Sequence, residues 1–291
     1  MSEGIRLNKY LASCGVGSRR TCDTLVQEGH VEINGQACLN PAERVAPDDF
    51  VKVDGRRVVA KHAQVIMLHK PRGLVVSKAD ELGRDTIYEL LPGSLQHLNH
   101  VGRLDRDSEG LLVMTNDGSL AQELLHPSKS IEKEYLVTAN QIVRDEHLDQ
   151  FLAGIYTEEG KLQAKEIERL SPRRIRVVLI TGQKRQIRVM FQTLGYSVQR
   201  LIRIRIGSFE LTDIAPGKWR AISPDELALL KVNPDRRKRP QARRKPRPKD
   251  AIKRKRTAKK AAGKTAKRAP KKKTRRPPAG LARKQPRKRK K

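Results

Sequence analysis

The chain has 291 residues, 63 Lys and Arg against 32 Asp and Glu, and only 3% aromatic side chains. Its net charge of +31 is unevenly placed: residues 1–235 carry 33 basic and 31 acidic side chains, whereas residues 236–291 carry 30 basic ones and a single acid, Asp250. No run approaches the roughly 18 consecutive apolar residues of a membrane-spanning helix, and the first fifteen residues lack the unbroken apolar core of a signal peptide.

In chain order, Leu7, Tyr10, Leu11 and Cys14 recur at i, i+3, i+4 and i+7, one face of a short helix that Gly15 stops. Ser18 then stands as an N-cap before a second helix that turns Cys22, Leu25 and Val26 inward and ends at Gly29. His30–Ile33 alternates as a strand and closes on Asn34-Gly35, a favoured hairpin turn; Phe50–Val53 repeats the pattern before Asp54-Gly55. Two short helices and two or three strands give a core too small for an enzyme. This stretch, RLNKYLASCGVGSRR…LVQEGHVEINGQ…VKVDG, resembles the alpha-L RNA-binding domain found at the front of several rRNA-modifying enzymes. The resemblance implies that Arg19 and Arg20, at the start of the second helix, face RNA with Lys9 nearby. Positive charge is disfavoured at a helix N-terminus, which independently points to an external anion there.

Val65–Leu68 and Leu74–Val76 are apolar runs joined by His69-Lys-Pro-Arg-Gly73, the pattern of strand, turn, strand. Leu111–Thr115 is a buried-type strand, preceded by a polar loop, Gly102–Gly110, that crowds Arg103, Asp105, Arg106, Asp107 and Glu109 together. Ser130–Val137 enters another strand with Tyr135 among charged residues. Thr181–Gly195 is a glycine turn followed by a helix whose apolar face is Ile187, Met190, Phe191 and Leu194. Arg188 lies off that stripe in the first turn, where backbone N–H groups are also unpaired.

Together, GRLDRDSEGLL, KEYLV and GQKRQIRVMFQTLGY resemble the three signature blocks of the ribosomal RNA pseudouridine synthases of the RsuA, RluB, RluE and RluF group. The closing stretch, Leu201–Leu211 and Pro216–Ile222, is similar to that family's C-terminal end. The resemblance spans most of residues 5–230. It implies that Asp105 is the catalytic aspartate, that Tyr135 packs on the target uracil, that Arg188 pairs with the aspartate and that Arg103 helps to hold the everted nucleotide. Asp107 is two residues too late and has no catalytic role. The sequence departs from the family where His100 stands two residues before Gly102, a common proline position, and where Val189 replaces a common second arginine; both bear on target choice.

Turning uridine into pseudouridine breaks N1–C1′, turns the base over and forms C5–C1′, which needs no redox partner. No cofactor is expected. Cys14, Cys22 and Cys38 lack C-x-x-C spacing, and His97, His100 and His126 are scattered among no acidic ligand set, so no metal is expected either.

From Pro234 onward the chain has Ile252 and Leu281 but no other large aliphatic and no aromatic. Nothing there offsets the roughly 1–2 kcal/mol per residue lost on ordering the backbone, so a disordered tail is expected. Its cations release counterions on meeting phosphates, giving tight, sequence-independent, salt-sensitive binding to nucleic acid.

These readings predict an alpha-L RNA-binding domain over residues 4–60, an α+β catalytic domain over 64–232 built on a mixed, largely antiparallel sheet, and a disordered Lys/Arg-rich tail over 234–291. The expected protein is a monomeric cytoplasmic isomerase acting on ribosomal RNA, with 23S favoured over 16S, the pre-ribosomal particle as a partner and tRNA left open. Two rivals from other classes are a catalytically silent ribosome-assembly factor on the same scaffold and a DNA-compacting protein working through its tail.

Overall fold

A computed structural model of the chain describes residues 4–158, 160–212 and 214–235. The expected cationic extension, residues 236–291, lies outside them. The described residues up to Pro234 belong to one compact unit.

The N-terminal module runs β1 (Ile5–Arg6), α1 (Leu7–Cys14), α2 (Arg19–Gln27), β2 (Val31–Ile33), β3 (Gln36–Ala37), β4 (Arg44–Val45), β5 (Val51–Val53) and β6 (Arg56–Val58). The expected helices form with their expected caps. Gly15 takes a left-handed φ of 81°, and the Ser18 hydroxyl accepts the Thr21 N–H at 3.1 Å. At both hairpin tips two successive residues have positive φ, Asn34-Gly35 (54° and 82°) and Asp54-Gly55 (50° and 73°). That conformation matches the right-handed twist of the paired strands, and Asn, Asp and Gly tolerate it best. The strands order β3-β2-β5-β6, all antiparallel, over a core of Leu7, Leu11, Cys22, Val26, Val31, Val45 and Val51. β1 pairs with β4, a closure that two-residue strands do not announce in sequence.

The larger part contains β7 (Val65–Lys70), β8 (Asn99–Val101), β9 (Glu109–Thr115), α3 (Gly118–Leu125), β10 (Lys133–Ala139), α4 (Asp145–Ala153), β11 (Ile155–Thr157) and β12 (Gly160–Leu162). It continues through β13 (Glu166–Ser171), β14 (Arg174–Leu179), α5 (Gln186–Thr193), β15 (Val198–Ile206), β16 (Phe209–Glu210), β17 (Trp219–Ala221) and α6 (Pro224–Lys231). Its sheet orders β13-β14-β10-β15-β9-β7-β17, with β16 on β15 and β8 on β9. Every pairing is antiparallel except β15 with β9. The α+β, largely antiparallel architecture is as expected.

Both faces of the central strands are covered, which is why β9 reads as a continuous apolar run instead of alternating. Leu112 and Met114 enter one core with Ile66 and Leu68 of β7, while Leu111 and Val113 enter the other with Met67. The parallel seam depends on Gly110, whose φ is 113°. A Cβ at that position would overlap the backbone of Arg203 on β15. Only glycine lets the two strands approach there.

One expectation fails. Leu74–Val76 is not a strand; Val75 makes only an isolated bridge with Thr86. Both edges of β7 are already occupied, by β9 and β17, so no edge is left for a returning hairpin partner. Pro71 instead ends the strand and the chain turns toward the loop that precedes β9.

Candidate active site

The loop between β8 and β9 carries Arg103, Asp105 and Asp107, and its shape is set by a buried lysine. Lys70, fully enclosed at the end of β7, donates to the carbonyls of Pro71 (2.9 Å), Arg106 (3.2 Å) and Ser108 (2.9 Å), using all three ammonium protons. Burial pulls its pKa down to about 8 against the opposing influence of Asp107, Asp105 and Glu109. The Gly73 N–H donates to the Arg106 carbonyl at 2.9 Å and the Arg106 Nε returns a bond to the Gly73 carbonyl at 3.0 Å. The Ser108 N–H closes the turn on the Asp105 carbonyl at 3.0 Å. Thus the His69–Gly73 segment, read from sequence only as a turn, is a scaffold for the acidic loop. A lysine followed by proline at the end of an apolar strand was the available signal.

Arg188 leaves the third position of α5 and reaches across to that loop. Its Nε lies 3.6 Å from Asp105 Oδ2; its Nη2 donates to the Asp107 carbonyl (3.1 Å) and approaches Ser108 Oγ (3.4 Å), and its Nη1 donates to the Val198 carbonyl (3.1 Å). The Arg188 side chain is 13% exposed and that of Asp105 30%. Desolvation draws the guanidinium's pKa downward, and Asp105 is the leading group that opposes it. The expected juxtaposition of Asp105 and Arg188 is present. The aspartate is less enclosed than a sealed pocket would make it: it sits at the rim of a cleft, open on one side. Among the described residues no backbone N–H of the α5 terminus donates to it, so the guanidinium, not the helix end, is its close positive neighbour. Asp107 is exposed; its backbone carbonyl accepts from Arg188 Nη2, and its carboxylate acts on Lys70 and Arg188 only as a nearby negative charge.

The cleft encloses about 470 Å³ and is bounded by Arg103, Leu104, Asp105, Tyr135, Ile187 and Leu201, with Thr181–Gln183 and Gln186 along one edge. Tyr135 lies on β10 and is 9% exposed. Alternation along β10 sends Lys133 and Tyr135 to the cleft side and Glu134 to the other side. There Glu134 meets the buried Arg205 at 2.7 Å, and Arg205 also holds Glu132 at 3.1 Å. The glutamate of the KEY block is therefore an internal counter-charge. Across from Tyr135 in register stands Arg203 of β15, 4% exposed, which also lines the cleft. Its Nε donates to the Leu111 carbonyl at 2.7 Å. Lys133 and Arg203 were within the segments read from sequence but were not singled out.

Arg103 is exposed on the cleft wall. In the N-terminal module Lys9, Arg19 and Arg20 are all exposed; Lys9 Nζ lies 3.3 Å from Ser119 Oγ at the start of α3, and Arg19 Nη2 reaches Asn8 Oδ1 at 3.4 Å. None of these three makes an ion pair among the described residues. His100 packs edge-on to Tyr88 and His126 caps the turn at Ser128, whereas His97 Nε2 is enclosed without a hydrogen-bond partner among the described residues. Among the described residues no cluster of His, Cys, Asp or Glu has the form of a metal site.

The sequence model of RNA pseudouridylate synthases matches residues 64–193, and that of the S4 domain matches residues 5–51. A dual-specificity RNA pseudouridine synthase, RluF of Shigella flexneri, is 36% identical over 248 residues, 83% of this chain and 84% of its own length. The ribosomal large subunit pseudouridine synthase B of Bacillus subtilis is 33% identical over 236 residues, 79% of this chain and 97% of its own. The crystal structure of a pseudouridylate synthase superposes with a TM-score of 0.59 at 27% identity, covering 78% of this chain and 99% of that one. The chain belongs to the RNA pseudouridine synthases, carrying an S4 domain ahead of the catalytic part. It is an isomerase of RNA uridines.

Proposed function

We propose that the chain isomerises uridine in ribosomal RNA, with the 23S molecule favoured over 16S, and that Asp105 is its catalytic residue. The observation that carries this reading is the Asp105–Arg188 pair, 3.6 Å apart at the rim of a cleft whose wall is Tyr135. The cleft is wide enough for a base and ribose turned out of a helix, and its apolar lining shields the glycosidic bond from water. Tyr135 presents a flat face for uracil to pack on, and Arg103 at the mouth fills a position beside the strand that the nucleotide leaves. A carboxylate held there reaches the ribose C1′, the ring C6 or the C2′ proton. Each route leads through a severed N1–C1′ bond to the C5–C1′ product, with one proton lost from C5 and one gained at N1.

The same reading divides the chain into an RNA-binding module over 4–60, a catalytic domain over 64–232 and a basic extension over 234–291. Lys9, Arg19 and Arg20 supply phosphate contacts, and the protein acts in the cytoplasm as a monomer on pre-ribosomal RNA. Two of the relatives described above bear on the target, one named for the large ribosomal subunit and one for dual specificity.

The test is incubation of the protein with unmodified ribosomal RNA followed by carbodiimide treatment and primer extension. Wild type should produce a pseudouridine stop that Asp105→Ala does not. A wild-type reaction without any stop on either ribosomal RNA would remove the assignment.

A further inference from the structure

One end of the cleft carries two cations that the Asp105–Arg188 pair does not use. Lys133 projects from β10 two residues before Tyr135, on the same side of the strand, and lines the cleft without a side-chain ion pair or hydrogen-bond partner among the described residues. Arg203 of β15, opposite Tyr135 in register, lines the same cleft near enough to act on Lys133 electrostatically and is 4% exposed. Its Nε is tied to the Leu111 carbonyl, but its Nη2 is enclosed with no hydrogen-bond partner. A buried guanidinium N–H without an acceptor is destabilising, and the residue that carries it borders the space where substrate must enter. The two cations also repel: burial first, and Arg203 second, hold the Lys133 pKa down to about 8. Both strains are relieved by the same thing, an anionic oxygen placed between the side chains.

We propose that Lys133 and Arg203 form a receiving site for negatively charged oxygen of the everted nucleotide. The inference rests on the uridine-isomerising reading of this cleft and assigns it a second set of contacts. Two sources offer the oxygen. When N1–C1′ breaks with its electron pair leaving on the base, the charge spreads over uracil O2 and O4; a cation there stabilises the detached base and keeps it bound while it turns. The other source is the phosphate adjoining the target ribose, which the same cations would clamp in both ground and transition states.

The experiment compares wild type, Lys133→Met and Lys133→Arg on an unmodified 23S rRNA transcript, after thermal melting shows that the variants fold. If uracil oxygens are the ligand, Lys133→Met lowers the single-turnover rate at least 30-fold with an unchanged dissociation constant. If phosphate is the ligand, Lys133→Met weakens binding about tenfold and lowers the salt slope by about 0.7, the single-strand value for one phosphate contact. In both cases Lys133→Arg recovers most of the loss. The wild-type rate falls as pH rises through 8, and Lys133→Arg lessens that fall, leaving the part that belongs to Lys70, whose pKa is also about 8. The other charged groups facing this cleft are Arg203 on β15, Asp105 and Arg103 on the loop, His126 after α3 and Arg185 before α5.

A second readout needs no activity: bound transcript should shield Lys133 from acetylation by an N-hydroxysuccinimide ester, read by peptide mass spectrometry. Unchanged rate and affinity in Lys133→Met, equal defects in Met and Arg variants, or acetylation indifferent to bound RNA would each overturn the proposal. An inactive wild type whose Lys133 is nonetheless shielded would overturn the isomerase reading and leave the anion site standing.

Discussion

Arg188 meets the acidic loop at three points: its Nε faces Asp105 at 3.6 Å, while its Nη2 bonds the Asp107 carbonyl at 3.1 Å and lies 3.4 Å from Ser108 Oγ. One side chain from a helix thus fixes both the charge beside the aspartate and the backbone that carries it. Its remaining Nη1 is anchored to Val198, so the guanidinium plane has little freedom to swing away.

Replacing Arg188 should therefore act on rate more than on substrate affinity. For Arg188→Met the single-turnover rate on ribosomal RNA is expected to fall by about 10²–10³, with a much smaller change in the RNA dissociation constant. The lost bonds to the part-buried Val198 carbonyl and Ser108 hydroxyl should also lower stability by about 1 kcal/mol, measured by urea unfolding. Arg188→Lys keeps the charge but cannot span Asp105, Asp107 and Val198 together, and should recover only part of the rate.

Lys70 predicts a pH dependence of stability. The unfolded chain keeps the ammonium proton up to its ordinary pKa near 10.5, whereas the folded chain releases it near 8. Between these values the unfolded state binds more protons, so the contribution of Lys70 to stability rises with pH across that window and is flat below it. Comparing urea midpoints at pH 7.5 and 9.5, wild type should gain relative to Lys70→Met. The same variant frees the carbonyls of Pro71, Arg106 and Ser108 and should slow catalysis without altering RNA affinity.

Gly110→Ala tests the seam between β9 and β15. The positive φ and the close Arg203 backbone leave no room for a methyl group. Strain and displaced strand pairing together should cost about 3 kcal/mol or more, seen as a lower urea midpoint. Because Arg203 and the Asp105 loop flank that seam, activity should be lost even at temperatures where the variant is folded.

The exposed cations of the N-terminal module make a separable contribution. A combined Lys9→Ala, Arg19→Ala, Arg20→Ala variant should bind RNA more weakly, with the slope of log K against log salt reduced by about 0.7–0.9 for each phosphate that is no longer neutralised. With saturating RNA its single-turnover rate should equal that of wild type. An unchanged salt slope would place the RNA elsewhere on the protein.

Much of this architecture was legible from the chain. Leu7, Leu11, Cys22 and Val26 fell on helix faces that are buried, and the Asn34-Gly35 and Asp54-Gly55 tips turn as such pairs do. Local conformation there is decided within a few residues, by side-chain spacing and by which residues tolerate positive φ. The failed strand at Leu74–Val76 shows the boundary of that logic: its residues suit a strand, but the neighbouring edge is already taken by β17, some 140 residues later in the chain.

The site divides in the same way. Asp105, Tyr135 and Arg188 could be nominated from three blocks whose order and spacing resemble a known family. What brings Arg188 within 3.6 Å of Asp105 is the packing of α5 beside the sheet, which no local pattern encodes. Lys70, Lys133, Glu134 and Arg203 look alike in sequence, each a charged residue in or beside an apolar strand. Only the assembled sheet separates them into a loop anchor, two cleft cations and an internal counter-charge, because burial and partners belong to the three-dimensional neighbourhood and not to the residue.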